Sequence, residues 1–103
     1  MAKVLSVTTS RVHHGKWQEA LAVHGKIKKC LNRLGGAARI LTQMYGATPS
    51  TITTVVEFAG WAEFGAFSAK AESDSELQGL IASLRANPVS EIIQRSVSTE
   101  LAV

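Results

Sequence analysis

The spacing of apolar residues switches from two to about 3.6 and back again, twice, along this chain. That double switch limits the possible folds more than any other feature. Lys3 to His13 is rich in Val, Thr and Ser, with Leu5, Val7, Thr9 and Arg11 on one side and Val4, Ser6, Thr8, Ser10 and Val12 on the other. β-branched residues in alternation predict a strand. After Gly15 the period becomes helical. Trp17, Ala20, Leu21, His24, Ile27, Leu31 and Leu34 form one stripe over 16–34, flanked by Cys30 and Val23. Gly35-Gly36 stops it, because glycine accepts the left-handed conformation that ends helices.

Alternation returns over Ala38 to Tyr45 and again over Thr51 to Phe58, with the turn Gly46-Ala47-Thr48-Pro49-Ser50 between them. Two strands joined by a short Gly/Pro turn predict an antiparallel hairpin. Helical spacing resumes at Trp61, Phe64, Phe67 and Ala71, then at Leu77, Leu80, Ile81 and Leu84. Ser73-Asp74-Ser75-Glu76 has the form of a capping box. The second helical region is therefore split or kinked, over 61–72 and 74–86, and Asn87-Pro88 ends it. A fourth strand runs from about Glu91 to Leu101, with Ile93, Arg95, Val97, Thr99 and Leu101 opposite Ile92, Gln94, Ser96 and Ser98. The order strand, helix, strand, strand, helix, strand predicts an α+β, ferredoxin-like βαββαβ fold with a four-stranded antiparallel sheet.

The length of 103 residues fits one domain spanning 1–103, and 46% hydrophobic against 18% charged residues excludes disorder. No apolar run is long enough to span a bilayer, and the first residues lack a signal-peptide core, so the expected location is cytoplasmic. The net charge of +3 is gathered mainly at Lys26, Lys28, Lys29 and Arg33 without interleaved aromatics. That reads as a solvated helix face and not as a nucleic-acid site. One cysteine excludes an internal disulfide and a multi-cysteine metal centre. His13 and His14 are neighbours on a strand end and point apart, so no metal site is expected.

Helices can cover one face of such a sheet. The other face carries either Ile52, Thr54, Val56 and Phe58 or Thr51, Thr53, Val55 and Glu57 from the third strand, and both sets are partly apolar. A half-apolar face with no helix to cover it predicts a homodimer.

The segment Val56-Glu57-Phe58-Ala59-Gly60-Trp61-Ala62-Glu63-Phe64-Gly65-Ala66-Phe67 resembles the strand-to-helix junction of NIPSNAP-like members of the dimeric α/β barrel superfamily. The resemblance implies two sheets meeting face to face in a homodimer, with a pocket between each sheet and its helices. The superfamily includes antibiotic-biosynthesis-monooxygenase-like enzymes that need no cofactor, and haem-degrading relatives. The chain resembles the latter only at Trp61; it lacks an Asn in its first strand and a His in 61–86 to ligate iron.

His24 is the only polar group near the centre of the first helical stripe, which makes it the candidate acid, base or ligand-orienting residue. Trp61 and Phe64 are candidates to wall a pocket, and Tyr45 and Arg39 share a face of the second strand. Arg11, Arg39 or Arg95 facing a pocket would hold a carboxylate. Glu57 is a rim residue or a base. No nucleophile elbow, phosphate loop, dinucleotide or zinc motif is present. The expected function is a small homodimeric ligand-binding or interaction domain with a pocket for an apolar or aromatic molecule, without cofactor. The alternative is a cofactor-independent monooxygenase or isomerase acting on an aromatic or polyketide-like compound.

Overall fold

The computed structural model describes residues 2–44 and 50–103. Its elements are β1 (Val4–Val12), α1 (Trp17–Arg33), β2 (Ala37–Leu41), β3 (Thr51–Phe58), α2 (Trp61–Ser73), α3 (Ser75–Ala86) and β4 (Ser90–Thr99). The strands form one antiparallel sheet in the order β2-β3-β1-β4. This is the expected ferredoxin-like arrangement, with the second helical region in two pieces.

The register settles which side of each strand meets the helices. Val4, Val56, Phe58 and Ala38 form one buried cluster beneath Leu31, Phe64 and Phe67. Val12, Ile52 and Val89 form another beneath Ala20, Trp17 and Leu84. Ile52, Thr54, Val56 and Phe58 therefore face the helices. Thr51, Thr53, Val55 and Glu57 face away, beside Leu5, Val7, Thr9 and Arg11 of β1 and Ala37, Arg39 and Leu41 of β2. No helix covers this second face.

Four local expectations are corrected. On α1, Cys30 lies in the buried face (1% exposed), whereas Leu21 is 40% exposed. A third cluster explains it: Cys30 and Leu34 meet Leu77 of α3, with Ile27, Leu80 and Ile81 around them, which turns the buried side of α1 away from Leu21. Next, β2 stops at Leu41. The Thr42 hydroxyl donates to the Thr51 carbonyl at 2.9 Å, so a side chain takes up a carbonyl that a continuing ladder would use. The tip of the hairpin, including Tyr45, lies outside the described residues. Third, the cap of α3 is Asp74 and not Ser73. The Asp74 carboxylate accepts from the Leu77 amide at 2.9 Å and from Arg33 at 2.7 Å, while the Ser73 hydroxyl turns back to the Ala69 and Lys70 carbonyls. Finally, β4 carries a bulge. Thr9 pairs with Gln94 but Ser10 pairs with Ile92, so Ile92 joins Arg95, Val97 and Thr99 on the helix side.

Candidate functional site

The proposed site residues are spread over both ends and both faces of the sheet. His24, on the third turn of α1, is buried, and its Nε2 lies 3.2 Å from the Ser90 hydroxyl at the start of β4. Burial holds its pKa below the ordinary histidine value, because desolvation penalises the charged ring. Ser90 pairs with Val12, so this contact sits at the Val12 end of β1.

Trp61 and Phe64 sit at the other end. Phe64 packs on Val4 and Phe58, its ring 5.3 Å from that of Phe58 in an edge-to-face contact. Trp61 meets Phe64 edge-on at 5.9 Å and is otherwise largely exposed. Val4 and Val12 are separated by the length of β1, about 26 Å at the usual rise per residue. No small molecule would touch His24 and Trp61 together.

Arg39 lies on the opposite face. It borders a hollow of about 400 Å³ at the free edge of β2, shared with Asn32, Ala37, Ala38 and Glu57. Arg11 is already paired with Glu91 at 3.3 Å, and Glu57 with Lys3 at 3.3 Å. His13 and His14 are exposed after β1, and no group of three metal-ligating side chains occurs among the described residues.

β4 carries more of a candidate site than its alternation alone shows. On its helix side Arg95 stands opposite Thr8, and Val97 opposite Ser6. Ile92 is 62% exposed and Val97 41%, so neither α2 nor α3 covers this strand. Ser6 and Thr8, beside it on β1, are only half-buried. The signal was present in the sequence as an arginine flanked by aliphatic residues on an alternating strand. The bulge at Ile93 hid which face it occupied.

This architecture is that of a ferredoxin-like α+β domain with one helix-covered sheet face and one bare face. No protein-family model matches the chain, and no functionally curated protein does. Solved structures do match it. A NIPSNAP family protein from Agrobacterium tumefaciens superposes with a TM-score of 0.70 at 18% identity, over 98% of this chain and 93% of the other. A NIPSNAP domain protein from Burkholderia xenovorans gives 0.72 at 13% identity, over 97% and 94%. An antibiotic biosynthesis monooxygenase-like protein from Chloroflexus aurantiacus gives 0.67 at 12%, over 98% and 95%. The fold is thus the one the Val56–Phe67 junction suggested. At these identities the likeness extends to the fold alone.

Proposed function

We propose that the protein is a homodimeric small-molecule-binding domain, paired through its bare sheet face. Its ligand, an apolar or aromatic molecule with one anionic end, would lie in the cleft between α2 and the helix side of β4. The observation that carries this reading is the exposure of β4 on the helix side. Val97, Ser6 and Thr8 would form its apolar and hydroxyl floor, Arg95 would supply a cation, and Phe64 and Trp61 would form an aromatic wall. Phe64 packs on the cluster of Val4, and Val4 of β1 pairs with Thr99, which supports a wall one strand away from β4. Arg95 forms no ion pair among the described residues, so its guanidinium is available to a carboxylate or phenolate.

The bare face supports the dimer on size grounds. Strands of 9, 5, 8 and 10 residues, about 4.8 Å apart at about 3.3 Å per residue, present about 500 Å² in projection, and more once the side-chain relief is counted. That approaches the roughly 800 Å² per partner of a stable interface. Binding without chemistry is favoured over a monooxygenase or isomerase because the candidate base, His24, is engaged with Ser90 at the far end of the sheet from the aromatic wall.

Tryptophan fluorescence with 1-naphthoate tests the cleft. The wild type should show saturable quenching, and Arg95→Gln should weaken binding at least about tenfold. No saturable change, or equal binding by both proteins, would refute the cleft.

A further inference from the structure

We infer that the ligand held by Arg95 is an unbranched carboxylate with an uncharged oxygen, a hydroxyl or a carbonyl, at its far end. This rests on the β4 cleft proposed for the ligand and adds what lies at the inner end of that cleft. The core beneath the helices is in two parts at opposite ends of the sheet. One gathers around Val4, Val56 and Phe58, the other around Val12, Ile52 and Val89, and they share no residue. On β3, Val56 and Ile52 are about 13 Å apart at about 3.3 Å per residue, and only Thr54 stands between them on that face. On β1, Ser6, Thr8 and Ser10 fill the matching stretch between Val4 and Val12.

The break in the core is therefore lined with hydroxyls. Thr54 pairs with Thr8, and Thr8 with Arg95, which makes one row across three strands. Directly opposed residues lie about 5 Å apart, so the row spans about 10 Å. Among the described residues, no hydrogen bond engages the hydroxyl of Ser6, Thr8, Ser10 or Thr54. Ser6, Thr8 and Thr54 are only half-buried, although they lie on the two central strands and on the helix side. Val55, next to Thr54 but on the bare face, is better buried at 9% exposed. The middle of the sheet is thus reached from the open β4 side, along the row that starts at Arg95.

This row dictates the ligand. A carboxylate at Arg95 directs the rest of the molecule inward over Thr8 to Thr54. A plain hydrocarbon there would displace water from the two hydroxyls and leave them unpaired, which costs binding. An oxygen at the ligand's far end replaces that water. It must be uncharged, because Thr54 is flanked on this face by Ile40, Ile52, Val56 and Thr8, and none of them is a cation. A second carboxylate at this position would be desolvated without a partner. The slot is one residue wide along β3, between Ile52 and Val56, so it admits a single chain and excludes a branched one.

The test is a titration of the full chain with octanoate, 8-hydroxyoctanoate and octanedioate, followed by amide chemical shifts. The hydroxy acid should move the resonances of Thr8, Thr54 and Arg95 together and bind at least about tenfold more tightly than octanoate. Octanedioate should bind no better than octanoate. Thr54→Val keeps the β-branched shape and removes the hydroxyl. It should reduce the affinity for the hydroxy acid to that for octanoate and leave octanoate binding unchanged, which a merely structural role for Thr54 would not do. Arg95→Gln should weaken both compounds alike. Equal affinity for octanoate and 8-hydroxyoctanoate, an advantage that survives Thr54→Val, or tightest binding by octanedioate would overturn this inference and leave the cleft standing. If none of the three binds, the cleft and the inference fall together.

Discussion

His24 Nε2 and the Ser90 hydroxyl, 3.2 Å apart, tie α1 to the first residue of β4. The two residues are separated by 66 positions in the chain. This contact joins the helix layer to the edge strand at the Val12 end of β1. It makes the histidine a structural link.

Replacing His24 with Ala should therefore destabilise the protein in urea titrations, by about 2 kcal/mol or more. The loss combines a hydrogen bond worth about 1 kcal/mol with the cavity left by a buried ring. His24→Leu keeps most of the volume and should recover part of that. A variant as stable as wild type would show that the Ser90 contact contributes nothing.

The same residue sets a pH dependence. Burial lowers its pKa in the folded state from the value of about 6.5 in an unfolded chain. Below about pH 6.5 the unfolded chain takes up the proton more readily, so stability falls as the solution is acidified. The fall levels off once pH passes the lowered folded value. Above about pH 7 this residue contributes no further change. Urea midpoints between pH 5 and pH 8 measure it, and the His24→Leu protein should lack that part of the slope.

Cys30 should resist thiol reagents in the native protein. It is buried, and its Sγ donates to Glu76 Oε1 at 2.7 Å. Burial foremost, then that hydrogen bond, raises its pKa, so the thiolate is scarce at neutral pH. Labelling with a disulfide reagent should be slow and should accelerate on adding denaturant. Rapid native labelling would mean that the α1–α3 contact opens readily.

The fold could be read from the sequence because its signals are periodic and local. Alternation in Val4–Val12 and the repeat Leu77, Leu80, Ile81, Leu84 each follow from geometry within one element. The positions that escaped depend on partners far away in the chain. Cys30 is a flank residue by helical spacing alone, and only the packing of Leu77 of α3 against it makes it part of the core. Ile92 changed sides because of a bulge opposite Thr9 and Ser10, which simple alternation cannot show. The candidate site suffered in the same way. Helical spacing and alternation place His24, Trp61, Phe64 and Arg39 only within their own elements, and the sheet register separates them onto two ends and two faces.

Gly36 offers a sharper packing test. A Cβ there would lie 2.6 Å from Val56 Cγ1, and 3.2 Å from both the Leu31 carbonyl oxygen and Phe67 Cε2. Val56 is itself in the core, so it cannot yield without disturbing Phe58 and Ala38. Gly36→Ala should cost about 1–3 kcal/mol through overpacking. At Gly25, where a Cβ meets nothing within 4 Å, the same substitution should be neutral or slightly stabilising, since alanine favours the helix. Thermal melts of the two variants should move in opposite directions or differ by several degrees. Equal melts would mean that the α1–β2 corner relaxes around the added methyl.

The proposed dimer is tested by placing a charge in the middle of the bare face. Val7 pairs with Val55 there, two strands in from the β2 edge, and no helix covers either residue. In a monomer a lysine at position 7 would lay its stem along the sheet and carry its ammonium to water, at little cost to the fold. In a face-to-face dimer the same ammonium would be buried, with a second one brought close by the symmetry. Like charges in a dry interface are costly enough to dissociate it. Wild type at micromolar concentration should therefore sediment at twice the mass of the chain, and Val7→Lys at the mass of one. Its circular dichroism should remain that of the wild type. Ala82→Lys, on the exposed side of α3, serves as the control and should stay dimeric. A monomeric wild type would sink the proposal at once, and a Val7→Lys protein that remains dimeric would place the interface on some other surface.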